Sequence, residues 1–159
     1  MKPAQLAKSG TESGHQRAVF CWAAYAGTHG FECARAWLSD ADNEALRNPD
    51  HNAPRVPELK WLHHIPNGGS RGDDERSRMI RGNALKAEGV RTGVSDLCLP
   101  VKRGQWSGLY IEMKKPKGVE SPEQKEFGAF VVSQGFGYVV CDTWQKAIGV
   151  IEDYLSWTN

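Results

Sequence analysis

Gly93-Val94-Ser95-Asp96 and, after a short interval, Ile111-Glu112-Met113-Lys114 are the two stretches from which the fold can be read. Residues 96–101 and 109–115 have the composition of two strands, and residues 102–108 form the turn of a hairpin between them. Side chains alternate along a strand. Leu109, Ile111 and Met113 therefore share an apolar face, while Tyr110, Glu112 and Lys114 share the other. Hairpin pairing brings Asp96 beside Glu112. Two adjacent carboxylates repel at neutral pH unless a proton or a cation compensates them. A hard divalent ion with oxygen ligands, Mg²⁺ or Mn²⁺, would do so. A Glu-x-Lys tripeptide by itself is common on solvated strands; here an Asp opens the preceding strand and a glutamine-bearing helix follows.

That helix begins at Ser121-Pro122-Glu123-Gln124, which combines a capping box with proline at the first helical position. It is expected to run to about residue 134, closed by Gly135. Gln124, Phe127 and Val131 lie on one side of it. Gln124 has two readings: an inward-pointing amide at the head of an apolar stripe, or the capping residue that bonds back to the Ser121 amide. A buried strand is expected over 138–141. Thr143 then caps a last helix whose Trp144, Ala147, Ile148, Ile151, Tyr154 and Leu155 form an amphipathic stripe.

Upstream, residues 73–88 predict a polar, arginine-rich helix stopped by Gly89, and residues 59–65 a short strand ended by the turn at Pro66-Asn67-Gly68-Gly69. Residues 48–57, with three prolines, read as a loop. Residues 9–27 and 34–47 read as two helices. In the first, Glu12 and Gln16 are an i, i+4 pair; spacing alone favours a cap, with Ser9 as N-cap and Glu12 three residues on. A hairpin followed by helix, strand and helix gives an α/β class: a mixed sheet flanked by helices, with the helix at 121–134 as crossover between parallel strands.

Composition narrows the function classes. The chain has 159 residues, 40% hydrophobic and 25% charged, which predicts one domain, 1–159. No run approaches the roughly 18 apolar residues of a membrane span, and residues 1–14 lack a signal-peptide core, so a cytoplasmic protein is expected. Cys21, Cys33, Cys98 and Cys141 are widely spaced, which predicts free thiols and no cysteine-rich zinc site. The net charge of +1 hides an asymmetry: residues 55–118 carry 13 Lys+Arg against 7 Asp+Glu. A basic segment in a near-neutral chain is compatible with an anionic partner or with an ordinary solvated surface. Arg71, Arg76, Arg78 and Arg81 line the polar helix and its approach, and Lys102, Arg103, Lys115 and Lys117 flank the hairpin; all are candidate phosphate contacts. Trp106 is a candidate for base stacking or local packing. His63 and His64 are adjacent on a strand and read better as structural or surface residues than as ligands.

Taken in order, Asn67-Gly68-Gly69, Leu85-Lys86-Ala87-Glu88-Gly89-Val90, Gly93-Val94-Ser95-Asp96-Leu97, Ile111-Glu112-Met113-Lys114 and Ser121-Pro122-Glu123-Gln124 resemble the VRR-NUC (virus-type replication-repair nuclease) domain of the PD-(D/E)XK superfamily. The resemblance covers residues 59–155 well and the first helix more loosely, with Ser95 where the superfamily motif has proline. It implies a restriction-endonuclease-like α/β core and a metal-dependent DNA endonuclease. Asp96, Glu112 and the Met113 backbone carbonyl would be metal ligands, joined by Glu12 directly or through water. Lys114 would position water and stabilise phosphate charge, and Gln124 would support the site. The resemblance further implies a homodimer acting on branched DNA such as four-way junctions. The rivals are a non-catalytic nucleic-acid-binding module with the same fold and a sequence-reading restriction-type enzyme.

Overall fold

The computed structural model describes residues 1–39, 55–66 and 74–158. Helix α1 (Pro3–Leu6) and a 3₁₀ turn (Ala7–Ser9) lead into α2 (Glu12–Leu38). After a second 3₁₀ turn (Pro57–Trp61) come β1 (His63–His64), α3 (Glu75–Ala87), β2 (Leu97–Leu99), β3 (Leu109–Met113), α4 (Pro122–Ser133), β4 (Gly137–Cys141) and α5 (Trp144–Ser156). The four strands form one sheet in the order β1-β2-β3-β4. β1, β2 and β3 pair antiparallel, and β4 runs parallel to β3 with α4 as the crossover. This is the mixed sheet with flanking helices expected from the sequence.

The alternation along β3 decides the layering. Leu109, Ile111 and Met113 are at most 2% exposed and belong to the core with Val19 and Trp22 of α2 and Ile151 of α5. The opposite face meets α4, where the Tyr110 ring packs edge-on against Phe127 at 5.3 Å. All six apolar stripe residues of α5 are buried.

The first helix starts later and ends later than its sequence suggests. Thr11, not Ser9, is the N-cap: its Oγ1 accepts from the Gly14 amide at 3.1 Å. Gly10 stands between them in the left-handed region, φ 64°, and closes the preceding 3₁₀ turn. Gly27 is no terminator; it sits where α2 passes the Val56 carbonyl and Leu59. The chain instead breaks at Gly30 (φ 84°, ψ 168°) and turns helical again to Leu38, so two helical segments meet at a kink. The later part of the expected 34–47 helix and most of the 48–57 loop lie outside the described residues, as does the Asn67-Gly68-Gly69 turn. Of the expected strand at 59–65, His63–His64 forms β1 while residues 59–61 belong to the 3₁₀ turn, because Leu59 and Leu62 enter the core three residues apart, not two.

Gly93 joins two halves of the molecule. Its φ is +86°, and a Cβ built there would stand 2.7–2.8 Å from Cβ, C and O of Glu123 in the first turn of α4. The loop that delivers Asp96 is thereby pressed against the helix start that carries Gln124. Gly93→Ala is expected to destabilise the protein by about 2–5 kcal/mol, from left-handed strain and overpacking together. Gly89→Ala, at φ +94° with nothing within 4 Å, should cost only the conformational part, about 1–2 kcal/mol. Urea midpoints of the two variants check this.

Candidate active site

The end of the sheet opposite the hairpin turn gathers the polar residues. Leu97 pairs with Ile111, so Asp96 enters β2 level with the end of β3. Asp96 Oδ2 accepts from the Met113 amide at 2.8 Å. Glu112, 1% exposed, points from β3 towards α4. Its Oε1 accepts from Lys114 Nζ at 2.8 Å and from Gln124 Nε2. Its Oε2 is buried and has no hydrogen-bond partner among the described residues. Lys114, two residues on and 8% exposed, shares the face as strand alternation requires. Its backbone amide donates to the Cys141 carbonyl at 2.8 Å, which continues the β3–β4 ladder through the site.

Both readings of Gln124 hold at once. Its Oε1 accepts from the Ser121 amide at 2.9 Å while Ser121 Oγ accepts from the Gln124 amide at 3.3 Å, a complete capping box. The other end of the same side-chain amide is then left to donate to Glu112. Glu12 is the first residue of α2, and its Oε1 accepts from the Lys115 amide at 3.3 Å. It therefore stands at the rim of the site, exposed, and not at the cap position that spacing suggested. The Lys115 main-chain amide had no signature in the sequence, because any residue there offers the same donor.

Glu112 is electrostatically burdened. Burial pushes its pKa up to about 7, the Asp96 and Glu12 charges push the same way, and Lys114 opposes them. Its folded value lies above the unfolded one, so in metal-free protein its stabilising contribution is complete below the unfolded value near 4.5 and is lost as pH rises through about 7.

Among the described residues, no three His, Cys, Asp or Glu side chains are gathered for a metal ion. Two carboxylates and a backbone carbonyl still suit a hard cation of the Mg²⁺ kind, which keeps several waters and takes one or two carboxylates. The orphaned Glu112 Oε2 is the observation that fits such a group.

The basic candidates divide. Lys115 and Lys117 are exposed on the turn leaving β3, closed by the Gly118 amide on the Lys115 carbonyl at 2.8 Å, with Lys117 left-handed at φ 64°. Lys102 and Arg103 do not flank the site: the length of β3 separates them from it. Arg103 is committed internally, to Glu58 at 2.5 Å and to the Leu155 carbonyl at 3.2 Å. Arg76 is exposed on α3, and Arg71 lies outside the described residues. Trp106 packs partly against the core. His63 and His64 are both exposed.

Removing the ammonium should drive the Glu112 carboxyl further up. Lys114→Met is expected to raise its titration midpoint by about one unit or more, since a charge-assisted hydrogen bond is worth ~1.5–3 kcal/mol and one unit is ~1.4. A ¹³C NMR titration of the glutamate carboxyls, without divalent metal, measures this; an unmoved midpoint would refute the pairing.

The VRR-NUC domain model matches residues 55–144. No curated protein matches the chain. A solved structure described as a VRR_NUC domain protein superimposes with a TM-score of 0.61, at 23% identity over 94% of this chain and 91% of that one. At that identity the likeness is one of fold, consistent with the PD-(D/E)XK-like arrangement of sheet and helices. With the family model spanning more than half of the sequence, the chain belongs to the VRR-NUC domain family, a family of nuclease type.

Proposed function

We propose that this protein is a divalent-metal-dependent DNA endonuclease that hydrolyses phosphodiester bonds in branched DNA such as four-way junctions. The observation that carries the reading is Glu112: a buried carboxylate held through one oxygen by Lys114 and Gln124, with the other oxygen unsatisfied among the described residues, within reach of the Asp96 charge.

Asp96, Glu112 and the Met113 carbonyl would hold Mg²⁺ or Mn²⁺, with Glu12 at the rim contributing through water. The bound ion supplies acidity to water and charge neutralisation at a phosphoryl oxygen. The protein's own groups do the rest. Lys114, pinned by Glu112, holds its ammonium where it orients the attacking water and stabilises charge growing on the phosphate. Gln124 fixes the Glu112 rotamer. Lys115, Lys117 and Arg76 contact the phosphate backbone without reading sequence. A homodimer would place two such sites about a two-fold axis, which suits paired incisions across a junction.

The direct test incubates labelled four-way junction, duplex and single strand with Mg²⁺, Mn²⁺ or EDTA. Metal-dependent cuts near the branch are expected. No cleavage under any metal would favour a binding module, and defined cuts in plain duplex a restriction-type enzyme. Lys114→Ala is expected to lower cleavage at least about a hundredfold while junction affinity stays within about twofold, since one phosphate contact is a small share of the total; equal loss of both would make Lys114 a binding residue. Asp96→Ala and Glu112→Ala should each abolish the calorimetric heat of Mn²⁺ binding. In the unsubstituted protein, the apparent Mn²⁺ affinity should fall about tenfold per pH unit below about 7, because the ion must displace the Glu112 proton.

A further inference from the structure

Tyr138 sits in the middle of the α4–β4 contact and has no part in the site as described so far. It pairs with Tyr110 across the parallel ladder. Its hydroxyl donates to Glu120 Oε1 at 2.8 Å and lies 3.4 Å from the main-chain carbonyl of Gln124. Burial and the Glu120 carboxylate push its pKa above the usual tyrosine range, so it remains a donor at any ordinary pH. The ring reaches this place because residue 128 is glycine: a Cβ there would stand 2.7–2.9 Å from three ring atoms. A glycine inside a helix is unfavourable relative to alanine, and here it is what lets an aromatic ring slide beneath α4.

Glu120 and the Gln124 carbonyl, both within reach of the hydroxyl, bracket the capping box. Glu120 precedes the N-cap Ser121, and Gln124 is the residue whose amide spans Ser121 and Glu112. We infer that Tyr138 is a positioning residue of the candidate active site: anchored on β4, it holds the start of α4 at the height from which the Gln124 side chain reaches Glu112. The inference rests on the nuclease reading of that site. Outer partners of metal-ligating carboxylates act in this way, by fixing the orientation of the ligand.

Tyr138→Phe keeps the ring and removes the hydroxyl. It is made in the full chain, alone and combined with Gln124→Ala, and read by Mn²⁺ calorimetry and by kcat and KM on the four-way junction, with thermal unfolding to verify the fold. Tyr138→Phe should weaken Mn²⁺ binding and lower kcat about 3–10-fold, the scale of one hydrogen bond, with KM for DNA unchanged. The loss should vanish in the Gln124→Ala background, because the hydroxyl acts through that side chain. Glu120→Ala should reproduce the effect without touching the ring, and Glu120→Gln, which keeps an acceptor oxygen, should restore wild-type behaviour. Equal losses in both backgrounds, or unchanged Mn²⁺ binding and kcat in both Tyr138→Phe and Glu120→Ala, would overturn the inference and leave the nuclease reading standing. Wild-type protein that neither binds Mn²⁺ nor cuts the junction would overturn both.

Discussion

A carboxylate with almost no access to water is expensive, and the architecture around Glu112 is arranged to tolerate it. Isolated, such a group would neutralise itself by taking a proton. Here two donors from different segments meet one of its oxygens, Lys114 from just past the end of β3 and Gln124 from the helix that follows. For both to arrive, β3 must keep its register with β2 and β4, α4 must start at Ser121, and the loop through Gly93 must lie close under Glu123. The compensation is incomplete, because Asp96 and Glu12 add negative charge nearby. A buried pair of this kind stabilises a fold less than apolar packing of similar volume would.

Much of this was legible in the chain. Period-two alternation separated Leu109, Ile111 and Met113 from Tyr110, Glu112 and Lys114, and the sheet follows it. The Ser121–Gln124 signature and the stripe from Trp144 to Leu155 depend only on local spacing, and both elements form where they were expected. The residues 96, 112, 114 and 124 come together because a hairpin and its following helix are contiguous in sequence, so the grouping depends on little long-range geometry.

What could not be read was long-range. The helix cap is the local exception: spacing points to Ser9, and the left-handed Gly10 that closes the 3₁₀ turn moves the cap to Thr11. Position beside the hairpin groups Lys102 and Arg103 with Lys115 and Lys117, but the strand carries them to opposite ends of the sheet, and Arg103 is drawn onto Glu58 across the fold. The role of Gly128 was likewise invisible, since a glycine within a helix carries no local sign that an aromatic ring from another strand lies beneath it.

The side-chain amide at position 124 is asked for two opposite services at a fixed reach. Glutamate would keep the acceptor for the Ser121 amide yet set a third negative oxygen against Glu112. Lysine or arginine would supply a donor and forfeit the acceptor. Asparagine has both functions and is one methylene too short. The chemical alphabet thus offers essentially one letter for this place, a narrowness that arises because a helix terminus and a buried acid depend on the two ends of a single planar group.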